Sequence, residues 1–145
     1  MSDYDSVLSG YYTFFRGLAD PDKREHGSGW SIKEIIGHLV DSCSNNHQRL
    51  ARLVPGANLN FPGYDQETFV TRAAYVSFDY GRLVELWHLY NALLLHSYRS
   101  LPADLAERST ISVGDRPAVN VHALIADYFR HMSVHVNQIR QIVEA

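Results

Sequence analysis

Apolar residues recur every three or four positions in four separate stretches of this chain, and this spacing constrains the fold more than any other feature. The stretches cover roughly residues 5–18, 31–54, 78–101 and 120–143. Residues that end helices follow them, such as Asp20-Pro21 after the first and Pro55-Gly56 after the second. The spacing therefore predicts four long amphipathic helices, which a chain of 145 residues can pack around one core.

Two of these helices have recognisable start signals. Ser31 and Glu34 have the S-x-x-E spacing of a capping box, and Trp30 stands where a hydrophobic staple residue would pack. Asn120 is an N-cap candidate before the fourth stretch. These residues predict where the second and fourth helices begin.

Two connections are longer than the roughly 2–8 residues usual between bundle helices. The first, roughly residues 55–77, contains one short predicted helix, Gln66–Ala73. In the second, alternating residues on either side of Gly114-Asp115 predict a two-stranded hairpin of residues 109–113 and 116–119. The sequence thus predicts an all-α single domain over residues 1–145, an up-and-down four-helix bundle with a long covering loop and a small β-hairpin.

The charge balance and the cysteine count exclude several classes of function. Thirteen Lys and Arg against 16 Asp and Glu give a formal net charge of −3, which offers no attraction to nucleic acid or to an anionic membrane. The sequence has neither a basic-then-apolar leader nor a membrane-length apolar run, so we expect a cytoplasmic protein. The single Cys43 cannot form an internal disulfide or a thiolate-rich zinc site, and its place among apolar positions predicts a buried hydrophobe. Histidines and carboxylates must therefore supply any metal or acid–base chemistry.

Eight histidines are present, and one pair, His131 and His135, is four residues apart. On a helix this spacing places two imidazoles on one face, where they can bind one ion. A helical wheel puts both on the shoulder of the apolar arc of the fourth helix, and it puts His38 on the shoulder of the second. Three imidazoles from two helices would leave positions on an ion open to water or substrate, as in a catalytic site. The alternative for each is a half-exposed histidine that is merely hydrogen-bonded.

Three ordered motifs resemble those of the DinB/YfiT-like superfamily. Residues 30–42 resemble its W-S-x-x-E-x-x-x-H-L-x-D-S signature, residues 61–67 its mid-chain Y-D segment, and residues 127–139 its closing H-x-x-x-H-x-x-Q-I. Val134 departs from the pattern, because many relatives carry a histidine there. The resemblance implies a four-helix bundle that binds a divalent ion, typically nickel or zinc, through His38, His131 and His135. It also implies relatives that are thiol S-transferases, thiol-linked isomerases or metal-dependent hydrolases, commonly as homodimers.

Polar residues near these histidines are candidates for orienting a ligand or binding substrate. Asp41 and Ser42 lie one turn after His38, and Asn45 lies two turns after it; each could instead bond only to backbone. Tyr64 follows Pro62-Gly63 and could close over a pocket. Asp127 lies one turn before His131. Its position is equally consistent with a residue that orients a ligand imidazole and with a plain solvated residue.

Two classes of function follow. The first is a metal-dependent enzyme with a small-molecule substrate: a thiol S-transferase if the ion activates a low-molecular-weight thiol, or a hydrolase if it activates water. The second is a non-catalytic metal-binding stress or interaction protein, in which an ion only joins two helices. A solvent-accessible pocket beside the ion would favour the enzyme, and a closed site would exclude it.

Overall fold

Helices make up most of the computed structural model, which describes residues 3–25 and 29–145. The long helices confirm the predicted bundle and end within three residues of the predicted bounds: α1 Tyr4–Arg16, α2 Ile32–Ala51, α4 Tyr80–Arg99 and α6 Val121–Glu144. The short helix predicted in the first connection is α3, Gln66–Ala73, and a 3-10 turn, Tyr75–Ser77, follows it. A further short helix, α5 Ala103–Arg108, was not predicted from the sequence.

Side chains cap the starts of the long helices where the sequence indicated. The Ser31 hydroxyl accepts from the Glu34 amide at 3.1 Å, and the Glu34 carboxylate accepts from the Ser31 amide at 3.1 Å, so the capping box is complete. The Asn120 side chain accepts from the Ala123 amide at 2.8 Å. These caps set the helical phase of the two helices that carry the three candidate histidines.

Helix α1 packs against α4 in the opposite direction. The start of α1 meets the end of α4, where the Arg99 guanidinium lies 2.8 Å from the Asp5 carboxylate. At the other end the Tyr80 hydroxyl donates to the Phe15 carbonyl at 2.7 Å. These two are therefore an antiparallel pair.

Helices α2 and α4, in contrast, run in the same direction. Near the start of α2, Gly37 lies against the ring of Tyr75, which comes just before α4. Further along both helices, His47 Nδ1 lies 3.3 Å from the Tyr90 hydroxyl. Residues 52–79 carry the chain back to the end at which α2 began, which a short turn could not do.

The directions of α1 and α6 complete the arrangement. The ring of Tyr4 stacks on that of Phe129 at 4.0 Å, and the Arg140 guanidinium lies 5.2 Å from the Phe14 ring, so α1 and α6 run the same way. Along the chain the four helices run up, down, down and up. The strict alternation that we expected from the sequence is thus not present, because the first long connection returns the chain before α4.

A three-stranded sheet joins the two long connections. Strands β2 (Thr110–Val113) and β3 (Val119–Asn120) are the predicted hairpin, antiparallel with Ile111 opposite Val119. Strand β1 (Asn58–Phe61) was not predicted; it pairs in parallel with β2, with Phe61 opposite Val113. Gly114 takes φ +58° in the hairpin loop, a left-handed value that favours glycine. The sheet therefore holds the second connection beside the first.

The core draws on all four long helices. Its largest fully buried side chains include Phe15, Ile36, Trp87 and Met132. Cys43 is fully buried as predicted, and burial raises the pKa of its thiol to about 12, which keeps it protonated and unreactive.

Candidate metal centre

Three histidines from α2 and α6 meet near one end of the bundle. The ring centres of His131 and His135 are 4.6 Å apart, and the ring of His38 lies 5.3 Å from the first and 4.7 Å from the second. One nitrogen from each imidazole lies within 4.8 Å of the other two. The structure thus brings together the three histidines that the sequence singled out.

His38 is the most buried of the three, at 1% exposure. Among the described residues, neither its Nδ1 nor its Nε2 has a hydrogen-bond partner. Burying a polar group without a partner costs about 1–3 kcal/mol, so a native side chain in this state needs an explanation. A bound ion would satisfy one of these nitrogens.

The spacing of the other two nitrogens also suits an ion. His131 Nε2 and His135 Nε2 lie 3.2 Å apart. Two nitrogens bound to one tetrahedral zinc ion at about 2.0–2.1 Å are about 3.3 Å apart. Imidazole suits zinc, nickel and other late transition ions, so the residues present fit the group that the sequence implied.

A hydrogen bond sets the tautomer of His135. Its Nδ1 lies 2.9 Å from the Gln138 carbonyl oxygen, which can only accept, so this nitrogen carries the proton. The lone pair of the neutral ring is therefore on Nε2, which faces His131. Gln138 in turn donates to the Glu25 carboxylate at 3.4 Å. This chain of contacts is the support that metal-ligating histidines usually have.

The surroundings keep the imidazoles of His38 and His131 neutral. Burial, together with the charge that His135 and His131 would carry, lowers the pKa of His38 to about 3. Burial and the neighbouring His135 lower the pKa of His131 to about 4, against the opposing effect of Asp127. Neutral imidazole is the form that binds metals, so at neutral pH these two rings are in the form a ligand needs.

One aromatic side chain covers His38, and a second packs beside it on α2. The Trp30 ring lies 5.0 Å from the imidazole and is held by a hydrogen bond from its Nε1 to the Glu67 carboxylate at 3.2 Å. The ring of Tyr75 packs against Gly37, the residue before His38, and the Tyr75 hydroxyl donates to Asp41 at 2.6 Å. These contacts attach α3 and the 3-10 turn to the part of α2 that carries His38.

A cavity of about 310 Å³ opens beside the cluster. His38 and His131 form part of its wall, and the rest comes from α2, α6, the first long connection and the hairpin loop. Tyr64, the candidate covering residue, lies on this wall. Burial, followed by the nearby Asp41, raises the pKa of Tyr64 to about 12, so its hydroxyl stays protonated and can donate a hydrogen bond.

The other predicted polar residues take different places. Ser42 and Asp127 line the cavity, but the Asp127 carboxylate accepts from Arg130 at 2.8 and 3.0 Å and makes no hydrogen bond to an imidazole in the described structure. Asn45 donates to the Asp41 carbonyl of its own helix, which is the backbone alternative considered for it, and is not a wall residue. Asp41 is buried and bonded to Tyr75, so it lies behind the cavity wall.

Sequence reasoning missed four polar residues of the cavity wall: Asn46, Arg49, Gln66 and Arg116. Arg49 comes 11 residues after His38, which at 100° per residue places it within about 20° of that histidine on the helical wheel. This spacing is a signal that could have found it. Arg116 lies in the hairpin loop, and no helical periodicity extends to it.

The remaining described histidines have ordinary contacts. His47 pairs with Tyr90, His122 with the Tyr98 hydroxyl at 2.7 Å, and His88 stacks on Tyr12. His96 is exposed on α4, and His26 lies outside the described residues. Within the part of the chain that the structure describes, the one cluster of His, Cys, Asp or Glu suited to an ion is therefore His38, His131 and His135.

Comparison with protein families matches residues 16–139, most of the chain, to the DinB superfamily. The chain belongs to the DinB superfamily. No curated protein matched the sequence. Among the helices of the described DinB domain, none has both the length and the apolarity needed to cross a bilayer.

Solved structures share this DinB fold. The chain is similar to YfiT from Bacillus subtilis, described as a probable metal-dependent hydrolase with an unusual four-helix bundle topology. The TM-score is 0.79 and the sequence identity 16%, and the match covers 99% of this chain and 89% of YfiT. It is also similar to a mycothiol-dependent maleylpyruvate isomerase, at a TM-score of 0.64 and 14% identity. That match covers 90% of this chain and 55% of the isomerase. At these identities the likeness establishes the fold.

Proposed function

We propose that this DinB protein is a divalent-metal-dependent enzyme whose ion is held by His38, His131 and His135. One observation carries the proposal: three imidazoles converge beside an open cavity, and His38 is buried there with both nitrogens unpartnered in the described structure. Nickel and zinc are the ions we expect, because both bind imidazole readily. When bound, such an ion acts as a Lewis acid that lowers the pKa of a thiol or a water molecule coordinated to it.

The chain's own residues have separate tasks in this proposal. His135 is oriented by Gln138, so its unprotonated nitrogen faces the shared position. Trp30 covers His38 on one side, which limits access by bulk water from there. The Tyr64 hydroxyl remains protonated at neutral pH and can donate a hydrogen bond to a substrate in the cavity.

We further propose that the reaction is of the thiol S-transferase type, with a low-molecular-weight thiol as cosubstrate. The fully buried Cys43 cannot supply a thiolate, so a reacting thiol would have to enter with the substrate. The fold shared with a mycothiol-dependent isomerase is consistent with this chemistry. Hydrolysis is the second candidate, which the fold shared with a probable metal-dependent hydrolase supports.

A substrate screen separates these candidates. Protein loaded with nickel or zinc is assayed with small thiols and a chlorinated aromatic electrophile, and in parallel with simple esters and amides. Thiol-dependent chloride release would support the transferase, and turnover of esters or amides would support the hydrolase. Either activity should disappear with a chelator and in His38→Ala. Stoichiometric metal without turnover would instead support the non-catalytic metal-binding alternative.

The assembly state and the cellular location stay predictions. We propose a homodimer in the cytoplasm, and sedimentation of the purified protein tests the first part. A single species at the monomer mass of 16.5 kDa at micromolar concentration would contradict it.

A further inference from the structure

The Arg49 side chain has an unusual environment for a cation. It is only 8% exposed, and its Nε is buried without a hydrogen-bond partner among the described residues. One polar contact holds the guanidinium: its Nη1 donates to the Asn46 side-chain oxygen at 3.2 Å. The ring of Phe61 lies 5.3 Å from the guanidinium carbon. No carboxylate pairs with Arg49 in the part of the chain that the structure describes.

A buried arginine without an anionic partner is costly to maintain. Removing a charge from water costs several kcal/mol, and native proteins normally offset this with a paired anion. Burial lowers the pKa of Arg49, which reflects this cost. Because the residue lies on the wall of the cavity, the missing anion can arrive as a ligand.

A second guanidinium lies on the same wall. Arg116, in the hairpin loop, lines the cavity and is close enough to Arg49 to lower that residue's pKa further. It too has no ion-pair partner among residues 3–25 and 29–145. The one carboxylate on this wall, Asp127, is already paired with Arg130 at 2.8 Å. The wall therefore carries two unpaired positive charges against one neutralised negative charge.

The cavity also has an apolar extension. A second cavity of about 270 Å³ shares Val113, Arg116, Leu124 and Asp127 with the first. The rest of its lining is apolar and comes from the hairpin and the start of α6: Ile111, Pro117, Val119 and Ala123. The apolar cavity thus begins next to one of the two guanidiniums.

We propose that this site takes an organic anion, whose carboxylate or phosphate group binds Arg49 and Arg116 and whose apolar body occupies the adjoining cavity. Guanidinium groups bind both kinds of oxyanion through paired hydrogen bonds. Along α2 the backbone of Arg49 lies 11 residues, or about 16 Å, beyond that of His38. The inference rests on the proposed function only in taking this cavity as the substrate site.

Calorimetric titration with three small probes tests the proposal. Benzoate and phenyl phosphate each combine an oxyanion with an apolar ring, and benzamide is a neutral control of similar shape. We expect at least one anion to bind saturably. Benzamide should bind with an affinity about tenfold lower, or lower still, since a hydrogen bond to a charged group contributes about 1.5–3 kcal/mol. The stronger of the two anions identifies the oxyanion. Equal affinity for benzamide, or no binding of either anion, would overturn the proposal.

Arginine variants locate the binding. Arg49→Gln and Arg116→Gln should each lower the affinity for the anion by about tenfold. Arg52→Gln, at the C-cap of the same helix, lies outside the cavity and is bonded to Gln48, so this variant should bind the anion as the unaltered protein does. If Arg49→Gln does not fold, the exposed Arg116→Gln carries the test. Unchanged affinity in the arginine variants that fold would contradict the proposal.

One further variant separates this inference from the metal proposal. His131→Ala removes a candidate metal ligand and leaves both guanidiniums in place, so it should lose metal and still bind the anion. If the unaltered protein binds the anion through its arginines but takes up no metal, this inference stands and the metal-dependent function is rejected. If the unaltered protein binds metal stoichiometrically but its anion affinity is the same in both arginine variants, the metal proposal stands and this inference is rejected.

Discussion

A Cβ atom on Gly37 would lie 2.2 Å from the ring of Tyr75, closer than real carbon contacts allow. Glycine at this position lets the tyrosine ring lie directly on the backbone of α2, one residue before His38. From there the Tyr75 hydroxyl reaches the buried Asp41 carboxylate at 2.6 Å. A glycine in the interior of a helix thus fixes the position of the 3-10 turn beside the candidate metal centre.

Gly37→Ala should therefore destabilise the protein. Overpacking costs about 1–3 kcal/mol, which exceeds the gain of about 0.5–1 kcal/mol from placing alanine in a helix. Urea denaturation measures the difference. Gly10→Ala is the matched control, because a Cβ on Gly10 of α1 would meet nothing within 4 Å, so that variant should become slightly more stable. Equal stabilisation by both changes would show that Tyr75 moves aside freely.

His131→Ala should abolish stoichiometric metal binding. The change removes one of three imidazoles, and two cannot hold the ion at the affinity of three. Elemental analysis of the purified protein measures metal per chain. His122→Ala is the control, since this histidine is exposed and bonded to Tyr98, and its metal content should not change. Full metal content in His131→Ala would reject the three-histidine site.

Gln138→Ala should weaken metal binding without removing a ligand. Loss of the Gln138 oxygen frees His135 to rotate and to change tautomer, and losses of such supporting contacts typically cost 10–100-fold in metal affinity. Competition with a chromophoric zinc chelator measures the affinity. Gln138→Glu keeps the acceptor for His135 but loses the donor to the Glu25 carboxylate, so it should retain more metal affinity than Gln138→Ala and less than the unaltered protein. Asn137→Ala, which removes an exposed neighbour bonded to Arg140, should have no effect.

The metal-free protein should lose stability as the pH falls from about 6.5 towards 4. His38 and His131 have folded-state pKa values of about 3 and about 4, below the ordinary histidine value of 6.5. Between these values the unfolded chain binds more protons than the folded one, so the free energy of unfolding decreases with decreasing pH. Above pH 6.5 both states are neutral at these residues and the contribution is constant.

Urea denaturation of chelator-treated protein at several pH values measures this dependence. His131→Gln should have a shallower slope between pH 4 and 6.5, because one of the two groups no longer titrates. Asn137→Ala, an exposed change on the same helix that removes no titratable group, should leave the slope unchanged. A slope in His131→Gln as steep as that of the unaltered protein would contradict the assignment.

Local patterns predicted most of the helical framework. Capping residues and the three-and-four apolar spacing identify α2 and α6, and the i, i+4 spacing of His131 and His135 brings their rings together whatever the rest of the fold. The parallel directions of α2 and α4 could not be predicted from local patterns, because they depend on the path of residues 52–79 across the bundle. The unusual length of that connection was visible in the sequence, but its path was not.

The partners of individual polar side chains were harder to predict. Asp127 lies one turn from His131 but pairs with Arg130, a competing i, i+3 partner that the sequence also contains. Strand β1 alternates asparagine with Leu59 and Phe61 over only four residues, and its partner β2 lies about 50 residues away. Contacts that depend on distant segments have no local periodicity to reveal them.

The His38–His131 contact spans 93 residues of sequence, since 131 − 38 = 93. An ion held by both would act as a cross-link between the second and the last long helix. Closing so long a loop removes conformational entropy from the unfolded chain, which amounts to about 4–5 kcal/mol when the cross-link is treated like a disulfide. Because α6 supplies two of the three imidazoles, the site is complete only after the final helix has docked. Metal uptake would therefore report the completion of folding and then slow its reversal.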